Sequence, residues 1–369
     1  MAYRYPLTRP ALDWRTYLDV FRVLRSGYLT EGPVTREFED RIAEYIGVTH
    51  AIAVTSATTG LELALRAWGI GPGDEVIVPD YTHPATADVV RIVGATLALV
   101  DIDVRTLLID YNALESAITP RTRAIIPVSQ FGNPLDYDRL KNISATRNLV
   151  IIEDAACSIG ATYGGARVGI HVDVAVFSFH PRKFITTGEG GAVVTKDAEK
   201  AAWMRSYKAF GADHMVARGD LSFAEIGTNY KLSNILSAVG LSQMRRINRL
   251  LEERTTIGKR YNELLAGHPG ITIPETTENG THAYQTYSVL IEKRDEVVTK
   301  MRQQGIEAQI GTFALHKHPA FAPSACVLHT GNLEKSAHVF THNLALPVYP
   351  GMKRSHQEHI ARELIRLVN

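Results

Sequence analysis

Short apolar segments alternate with amphipathic helical segments through the first two-thirds of this 369-residue chain. Near-continuous apolar runs suit strands that helices cover on both faces, as in a parallel sheet. The alternation therefore predicts an α/β fold with a large, mostly parallel sheet. The predicted strands span residues 50–54, 75–78, 95–100, 123–128, 149–152, 173–177 and 191–195. The predicted helices between them span residues 34–45, 59–68, 84–93 and 136–146.

The pattern changes after residue 195. A long predicted helix at 233–265 is rich in Leu, Arg and Glu, and a polar, turn-forming stretch at 274–280 follows it. We predict a large domain over residues 1–245 and a smaller C-terminal α+β domain over residues 246–369, with the long helix joining them. Beyond the turn, the smaller domain has a predicted strand at 286–291 and predicted helices at 295–304 and 355–367.

Composition narrows the class of protein. Hydrophobic residues make up 45% of the chain and charged residues 21%, which suits a globular protein with a sizeable core. The net charge of +1 gives no field that favours nucleic acid or an anionic membrane as a partner. Two cysteines, Cys157 and Cys326, are too few for a disulfide framework. Because no basic-apolar leader opens the chain and no apolar stretch reaches the ~18 residues that span a bilayer, we expect a soluble, cytoplasmic protein.

One lysine has unusual neighbours in the sequence. The segment SFHPRKFITTGEGG, residues 178–191, carries Lys183 between a predicted strand and a cluster of threonines and glycines. A lysine on a loop is often no more than a solvated side chain. Glycine, however, also allows the backbone to pass closely around a bulky ligand. The other residues of the chain decide between these two interpretations.

Two further features belong to the edge of the sheet where ligands bind, the carboxyl ends of the strands. Residues 55–60, TSATTG, lie between a strand and the start of a helix, where free backbone N–H groups bind phosphate. Asp154 follows the apolar run at 149–152, so its carboxylate needs a cationic or hydrogen-bonding partner. Taken alone, each feature has a structural explanation, an N-cap in the first case and an ion pair in the second.

Together with Lys183, these features are the groups that pyridoxal phosphate requires. The lysine bonds to the cofactor, the aspartate holds the pyridine nitrogen protonated, and the start of the helix receives the phosphate. A protonated ring nitrogen makes the cofactor an electron sink. The sequence therefore predicts a pyridoxal-phosphate enzyme.

At these residues the chain closely resembles the DegT/DnrJ/StrS family of sugar aminotransferases. The resemblance covers nearly the whole chain, and four motifs in the expected order make it specific. The motifs are SGYLTEGP at 26–33, EDAA at 153–156, SFHPRK at 178–183 with GEGG at 188–191, and GTNYKLS at 227–233.

The resemblance implies a fold-type-I transferase, similar to aspartate aminotransferase, that binds pyridoxal 5′-phosphate. It implies a homodimer whose active sites are shared between subunits, and transfer of an amino group from glutamate or glutamine to a keto-sugar, usually nucleotide-linked. Lys183 would form the Schiff base and Asp154 would hold the pyridine nitrogen. The other implied cofactor contacts are Ala57, Thr58, His83, Cys157, Ser178 and, from the neighbouring subunit, Asn229. Thr30 and His316 are the implied substrate contacts, and no metal site is implied.

Four positions depart from the family pattern. Cys157 stands where a glutamine or histidine often touches the cofactor's O3′, and His83 is a smaller stacking ring than the usual Phe, Tyr or Trp. Ser129 replaces a frequent histidine, and Lys231 replaces a frequent arginine. None of these changes removes a group essential to transamination, and the acceptor stays open between nucleotide-linked sugars, other keto-sugars and cyclitol ketones.

Other functions fit the sequence less well. Relatives that dehydrate sugars carry histidine at the lysine position, so Lys183 argues against a dehydratase. A non-catalytic cofactor-binding regulator needs no electron sink, so the pairing of Lys183 with Asp154 argues against it. Residues 156–160, ACSIG, loosely resemble a hydrolase nucleophile elbow, which requires a helix directly after it. His316 and His318 have no carboxylate or cysteine at a usual metal-ligand spacing.

Overall fold

The computed structural model describes residues 3–212 and 222–369. The α-helices are α1 Trp14–Ser26, α2 Pro33–Ile46, α3 Ala57–Ala67, α4 Pro84–Ile92, α5 Tyr111–Ala117, α6 Tyr137–Arg147, α7 Ala198–Tyr207, α8 Asn234–Met244, α9 Ile247–Leu265, α10 Arg294–Gln303, α11 Glu334–His342 and α12 Arg354–Val368. The strands are β1 His50–Val54, β2 Glu75–Pro79, β3 Tyr81–Thr82, β4 Thr96–Val100, β5 Thr122–Ile125, β6 Val150–Asp154, β7 Thr162–Tyr163, β8 Ala166–Arg167, β9 Val174–Ser178, β10 Gly191–Thr195, β11 Ile271–Thr272, β12 Gly280–Thr281, β13 Tyr287–Ile291, β14 Gln309–Ile310, β15 Phe313–Ala314, β16 Val327–His329 and β17 Asn343–Leu346.

An eight-stranded sheet forms the centre of the fold, in the order β1-β10-β9-β6-β5-β2-β4-β16. All of its strands are parallel except β10, which runs antiparallel to both of its neighbours. The predicted mostly parallel sheet is therefore confirmed. Parallel strands present their carboxyl ends along a common edge, so residues that follow β6 and β9 lie close together.

Both faces of this sheet are buried, which explains why its strands are apolar throughout. Side chains alternate between the faces along a strand. Ala175 and Phe177 of β9 belong to one apolar cluster, and Val174 and Val176 belong to the other. Helices α2, α6 and α8 cover the first face, and α3, α4 and α7 cover the second. A strand that polar solvent does not reach on either side shows no polar alternation.

A second, antiparallel sheet has the order β11-β13-β17-β14 and packs with α9, α10 and α12 around its own core. Residues from beyond position 246 also join the first sheet, because β16 is the strand at its edge next to β4. Near the start of the chain, Tyr5 bridges to Ile306 beside the second sheet. The division into domains at residue 245 stays a prediction.

The predicted long helix at 233–265 is in fact two helices. It breaks between α8 and α9, where Arg246 has φ −132° and ψ 19°. Two consecutive arginines at the break form salt bridges with the N-terminal part of the chain. Arg245 pairs with Asp19 at 2.7 Å, and Arg246 pairs with Asp13 at 3.3 Å. Neither glycine nor proline stands at residues 244–247, so the sequence contains no helix-breaking residue at this point.

Helix α1 was not predicted. Asp13 and Thr16 form a capping box that starts the helix. Its outer face, however, is apolar: Trp14 is 64% exposed, Tyr17 67% and Phe21 57%. The helix is amphipathic, but its apolar face is the exposed one, while the polar Thr16 and Asp19 are buried. Within the described ranges, no helix combines the length and apolar character needed to cross a membrane.

Candidate active site

A cavity of about 560 Å³ opens beside the ends of β6 and β9 and the start of α3. Segments from both sheets line it, including residues 309–312 and 345–346. It brings together most of the predicted site residues, namely Ala57, Thr58, His83, Asp154, Cys157, Ser178 and Lys183. The predicted contacts Thr30, Asn229 and His316 do not line it.

The start of α3 faces this cavity. Ser56 is the N-cap: its Oγ accepts from the Thr59 N–H at 3.1 Å, and Thr59 Oγ1 accepts from the Ser56 N–H at 3.1 Å. The N–H groups of Ala57 and Thr58, in the first turn, have no acceptor within the helix. At Gly191, a Cβ atom would lie 2.7 Å from the Ala57 nitrogen, so only glycine allows β10 to start this close to α3. The N-cap interpretation and the phosphate-site interpretation of TSATTG are thus compatible.

Asp154 ends β6 and is only 5% exposed. Its Oδ2 accepts from the Thr86 hydroxyl at 2.7 Å, and its Oδ1 accepts from the Ala156 N–H at 3.1 Å. Among residues 3–212 and 222–369, no Lys, Arg or His forms a salt bridge with it. Two donors orient this carboxylate, and its negative charge remains available to a cationic ring nitrogen in the cavity.

Lys183 sits on the loop between β9 and β10, and a single side chain fixes the backbone around it. Gln285 Oε1 accepts from the Phe184 N–H at 3.0 Å, and its amide donates to the Arg182 carbonyl at 2.8 Å. Lys183 Nζ donates to Cys157 Sγ at 3.0 Å. Sequence reasoning missed Gln285, which lies two residues before β13 and belongs to no motif.

His83 caps the start of α4 and lines the cavity. Its Nδ1 accepts from the Ala85 N–H at 3.2 Å. Desolvation at the cavity wall lowers the pKa of His83, although part of its side chain is exposed, so the ring favours its neutral form. A neutral ring is the form that suits stacking on an aromatic cofactor. Partial desolvation at the cavity wall also lowers the pKa of His180, an exposed residue to which the sequence analysis assigned no role.

Ser129, which replaces a frequent histidine, turns away from the predicted cofactor contacts. Its hydroxyl donates to Glu153 Oε1, and the Tyr137 hydroxyl donates to the same oxygen at 2.8 Å. Glu153 is fully buried, and this burial raises the pKa of its carboxyl to about 7. Ser129 therefore solvates a buried acid behind the strand end.

Three predicted residues lie outside the cavity. Thr30 and Asn229 are exposed, and Asn229 Oδ1 accepts from Lys231 Nζ at 2.6 Å. His316 Nδ1 instead binds the buried Asp80 at 2.5 Å, and Asp80 also accepts from the Ser336 hydroxyl at 2.6 Å. The substrate role of His316 stays a prediction. Residues 156–160 form consecutive turns and no helix, so the hydrolase alternative is wrong.

The residues present fit pyridoxal phosphate. A helix start offers N–H groups to a phosphate, a buried carboxylate has no salt-bridge partner in the described part of the chain, and a lysine side chain lines the same cavity. A mostly parallel sheet with these groups beyond its strand ends defines the protein as a fold-type-I pyridoxal-phosphate transferase.

The chain belongs to the DegT/DnrJ/EryC1/StrS aminotransferase family, whose model matches residues 12–365. It is 37% identical to GDP-perosamine synthase of Caulobacter vibrioides, over 98% of this chain and 97% of that protein. It is 34% identical to UDP-4-amino-4-deoxy-L-arabinose–oxoglutarate aminotransferase of Shewanella sediminis, over 98% of each chain. The fold matches that of Spr1654 from Streptococcus pneumoniae in its PLP form with a TM-score of 0.93, at 29% identity and over 99% of each chain. The protein is thus a pyridoxal-phosphate-dependent aminotransferase.

Proposed function

We propose that this enzyme moves an amino group from glutamate to the ketone of a nucleotide-linked sugar in amino-sugar biosynthesis. The observation that carries the proposal is the convergence of Lys183, Asp154 and the start of α3 on one cavity. The names of two relatives over nearly the full chain support the substrate class, since one contains a GDP-linked and the other a UDP-linked amino sugar. The second name also contains oxoglutarate, the keto acid that glutamate becomes when it gives up its amino group.

Each cavity residue then has a role. The N–H groups of Ala57 and Thr58 and the Ser178 hydroxyl would bind the cofactor's phosphate, because a helix start carries partial positive charge. Asp154 would keep the pyridine nitrogen protonated. His83 would stack on the ring, and Cys157 would lie in the position usually held by a contact to O3′. When bound, pyridoxal phosphate supplies an electron sink for charge that develops at the substrate carbon.

Lys183 has two tasks in this account. It would hold the cofactor, and its Nζ, when free, would take the proton from the substrate carbon. Gln285 supports both tasks because it fixes the backbone on either side of the lysine. Cys157 Sγ gives the free amine a hydrogen-bond partner at the cavity wall.

We further propose that two copies of the chain share their sites. Thr30 and Asn229 lie outside the cavity of their own chain but near each other. The Glu31 carboxylate binds Lys208 at 2.9 Å, and the Lys208 carbonyl accepts from the Tyr230 N–H at 3.0 Å. Segments 30–31 and 229–231 therefore form one exposed surface, which would enter the cavity of a second copy.

Exposed apolar side chains around this surface support assembly with a second copy. They continue from α1 through Tyr28, which is 53% exposed, and they include Phe210 at 52% and Ile226 at 96%. Extended apolar exposure of this kind marks an interaction surface. We also place the enzyme in the cytoplasm, where its two free cysteines would stay reduced.

A two-part assay tests the function. Protein loaded with pyridoxal phosphate should convert glutamate to 2-oxoglutarate in a single turnover, and should then aminate one member of a panel of nucleotide-linked keto-sugars and cyclitol ketones. Mass spectrometry of the product identifies the acceptor. If glutamate yields no 2-oxoglutarate and no panel member gains an amine, the proposed function is wrong. If only a cyclitol ketone is aminated, the acceptor is a cyclitol and not a nucleotide-linked sugar.

The variant Asp154→Asn gives this assay its mechanistic control. An amide cannot keep the ring nitrogen protonated, and losing a buried charge partner costs roughly 2–5 kcal/mol. At ~1.4 kcal/mol per decade, the single-turnover rate should fall more than about tenfold. Asp40→Asn, at an exposed position on α2, is the matched control and should keep the parent rate. A rate for Asp154→Asn within a factor of about two of the parent would make Asp154 merely structural.

A further inference from the structure

A thiol and an amine are in direct contact on the wall of the cavity. Cys157 Sγ accepts a hydrogen bond from Lys183 Nζ at 3.0 Å, and both side chains line the cavity. Both are half-buried, so small solutes in the cavity can reach them. The second cysteine, Cys326, does not line the cavity and lies in the turn before β16. The chain therefore has two free thiols in different surroundings. Within the described residues, Cys157 has a lysine amine as a hydrogen-bond partner and Cys326 has none.

Backbone geometry on both sides holds this contact in place. Lys183 is on the loop that Gln285 fixes, and Cys157 is in the turns that follow β6. At Gly132, a Cβ atom would lie 3.0 Å from the Cys157 carbonyl oxygen, so the backbone at Gly132 packs closely against this turn. The contact between Cys157 Sγ and Lys183 Nζ is therefore held by the packing and hydrogen bonds of the backbone on both sides.

We propose that Cys157 and Lys183 form a peroxide-sensitive modification site, in which oxidation joins the sulfur to the lysine nitrogen. In the first step the sulfur attacks one oxygen of hydrogen peroxide; the O–O bond breaks, the thiol becomes a sulfenic acid, and the other oxygen leaves as water. In the second step the lysine amine attacks the sulfenic sulfur. The S–N bond forms, the S–O bond breaks, and the hydroxyl leaves as water with a proton from the amine.

The product is a sulfenamide, lighter than the reduced protein by two hydrogen atoms. Sulfur has been oxidised and peroxide has been reduced to two molecules of water, so no other reactant is needed. Excess thiol reverses the reaction, because it attacks the same sulfur and releases the amine. The contact with Lys183 Nζ favours this outcome over further oxidation, since the amine is already adjacent when the sulfenic acid forms.

The link would occupy the nitrogen that the cofactor needs, a consequence that rests on the proposed function of Lys183. A lysine joined to sulfur cannot bond to pyridoxal phosphate. Conversely, a lysine bonded to the cofactor cannot attack the sulfenic acid. The modification would therefore act on the enzyme only when its lysine is free.

The test treats the full-length protein with a few equivalents of hydrogen peroxide, blocks free thiols, digests the protein and searches for linked peptides by mass spectrometry. We expect a peptide pair joined through Cys157 and Lys183 in the parent protein, and its loss after dithiothreitol. Cys326→Ser is the matched control and should keep the linked pair, whereas Cys157→Ser should lack it. The proposal is overturned if Cys157 stays reduced, proceeds to sulfinic acid, or forms a disulfide while no Cys157–Lys183 pair appears.

A second arm separates this proposal from the function proposed above. Saturation with pyridoxal phosphate before peroxide should lower the yield of the linked pair about tenfold, by mass action on the free amine. If the pair forms equally well with and without the cofactor, the S–N link stands and Lys183 is not the cofactor-binding lysine. If no pair forms in either preparation, the link is wrong and the function of Lys183 is untouched.

Discussion

At the scale of single residues, the site depends on two adjacent acids, Glu153 and Asp154, whose side chains have different hydrogen-bond donors. Asp154 has hydroxyl and backbone donors, whereas its neighbour Glu153 points into the core with Ser129 and Tyr137 as its donors. The sequence could predict Asp154 because it ends an apolar strand. It could not predict the environment of Ser129, since that residue meets Glu153 only when two strands pair. The position of Asp154 was predictable from one strand, and the environment of Ser129 required the sheet.

Glu153 makes the stability of the folded protein depend on pH. Its pKa in the folded protein is about 7, above the usual 4.5, so the folded chain keeps a proton that the unfolded chain releases. This contribution is fully present below pH 4.5 and is lost as pH rises through about 7. We expect Glu153→Gln to remove most of that pH dependence. The free energy of unfolding of the wild type, minus that of the variant, should fall by roughly 2–3 kcal/mol between pH 5 and pH 8.

Denaturant unfolding at the two pH values measures this effect. Glu115→Gln, at an exposed position on α5, is the matched control and should keep the wild-type pH dependence. Parallel pH profiles for wild type and Glu153→Gln would show that Glu153 is already ionised in the folded protein.

At the scale of elements, the loop between β9 and β10 is the critical part of the site. Its glycine and threonine content indicated a turn, and the motif placed Lys183 within it. What holds the loop is distant in sequence: Gln285 binds the backbone beside Lys183, and Gln243 of α8 binds Thr186 through both its oxygen and its nitrogen. Side-chain amides that clamp a remote backbone have no periodic signature, so sequence patterns cannot reveal them.

Gln285→Leu should loosen this loop. The change leaves the buried Phe184 N–H without an acceptor, which costs about 1–3 kcal/mol. It also removes the donor to the carbonyl of the exposed Arg182, which water can replace. We expect a lower melting temperature and faster loss of pyridoxal phosphate on dialysis. Gln303→Leu, the same substitution at an exposed position at the end of α10, is the control. Equal melting temperatures and equal cofactor loss for the two variants would contradict a clamping role.

At the scale of the whole molecule, one chain presents an incomplete set of the predicted residues to its cavity. The parallel sheet and the position of the site at its strand ends followed from the sequence, because burial on both faces produces unmistakable apolar runs. Helix α1 was missed although its sequence is amphipathic; what the sequence cannot show is that its apolar face lies on the outside of the chain. A second copy that covers the apolar face of α1 and the surface around Asn229 would explain why both are exposed in a single chain.

Subunit complementation tests the shared site. Lys183→Ala and Asn229→Ala should each be inactive or nearly so. After subunit exchange, a mixed dimer has one site with both lesions and one with neither, so about a quarter of wild-type activity should return under random exchange. Each variant exchanged with itself is the control. If mixed dimers are shown to form and no activity returns, Asn229 serves the site of its own chain.

The central claim is that Lys183 holds pyridoxal phosphate in the cavity beside Asp154. The most direct measurement incubates the protein with pyridoxal phosphate, adds borohydride to make the cofactor–lysine bond permanent, and maps the modified peptide by mass spectrometry. The account predicts the cofactor on Lys183, and loss of that label when glutamate is added before borohydride. A label on another lysine, such as Lys208 or Lys231, or the same label on Lys183 whether or not glutamate is present, would contradict it.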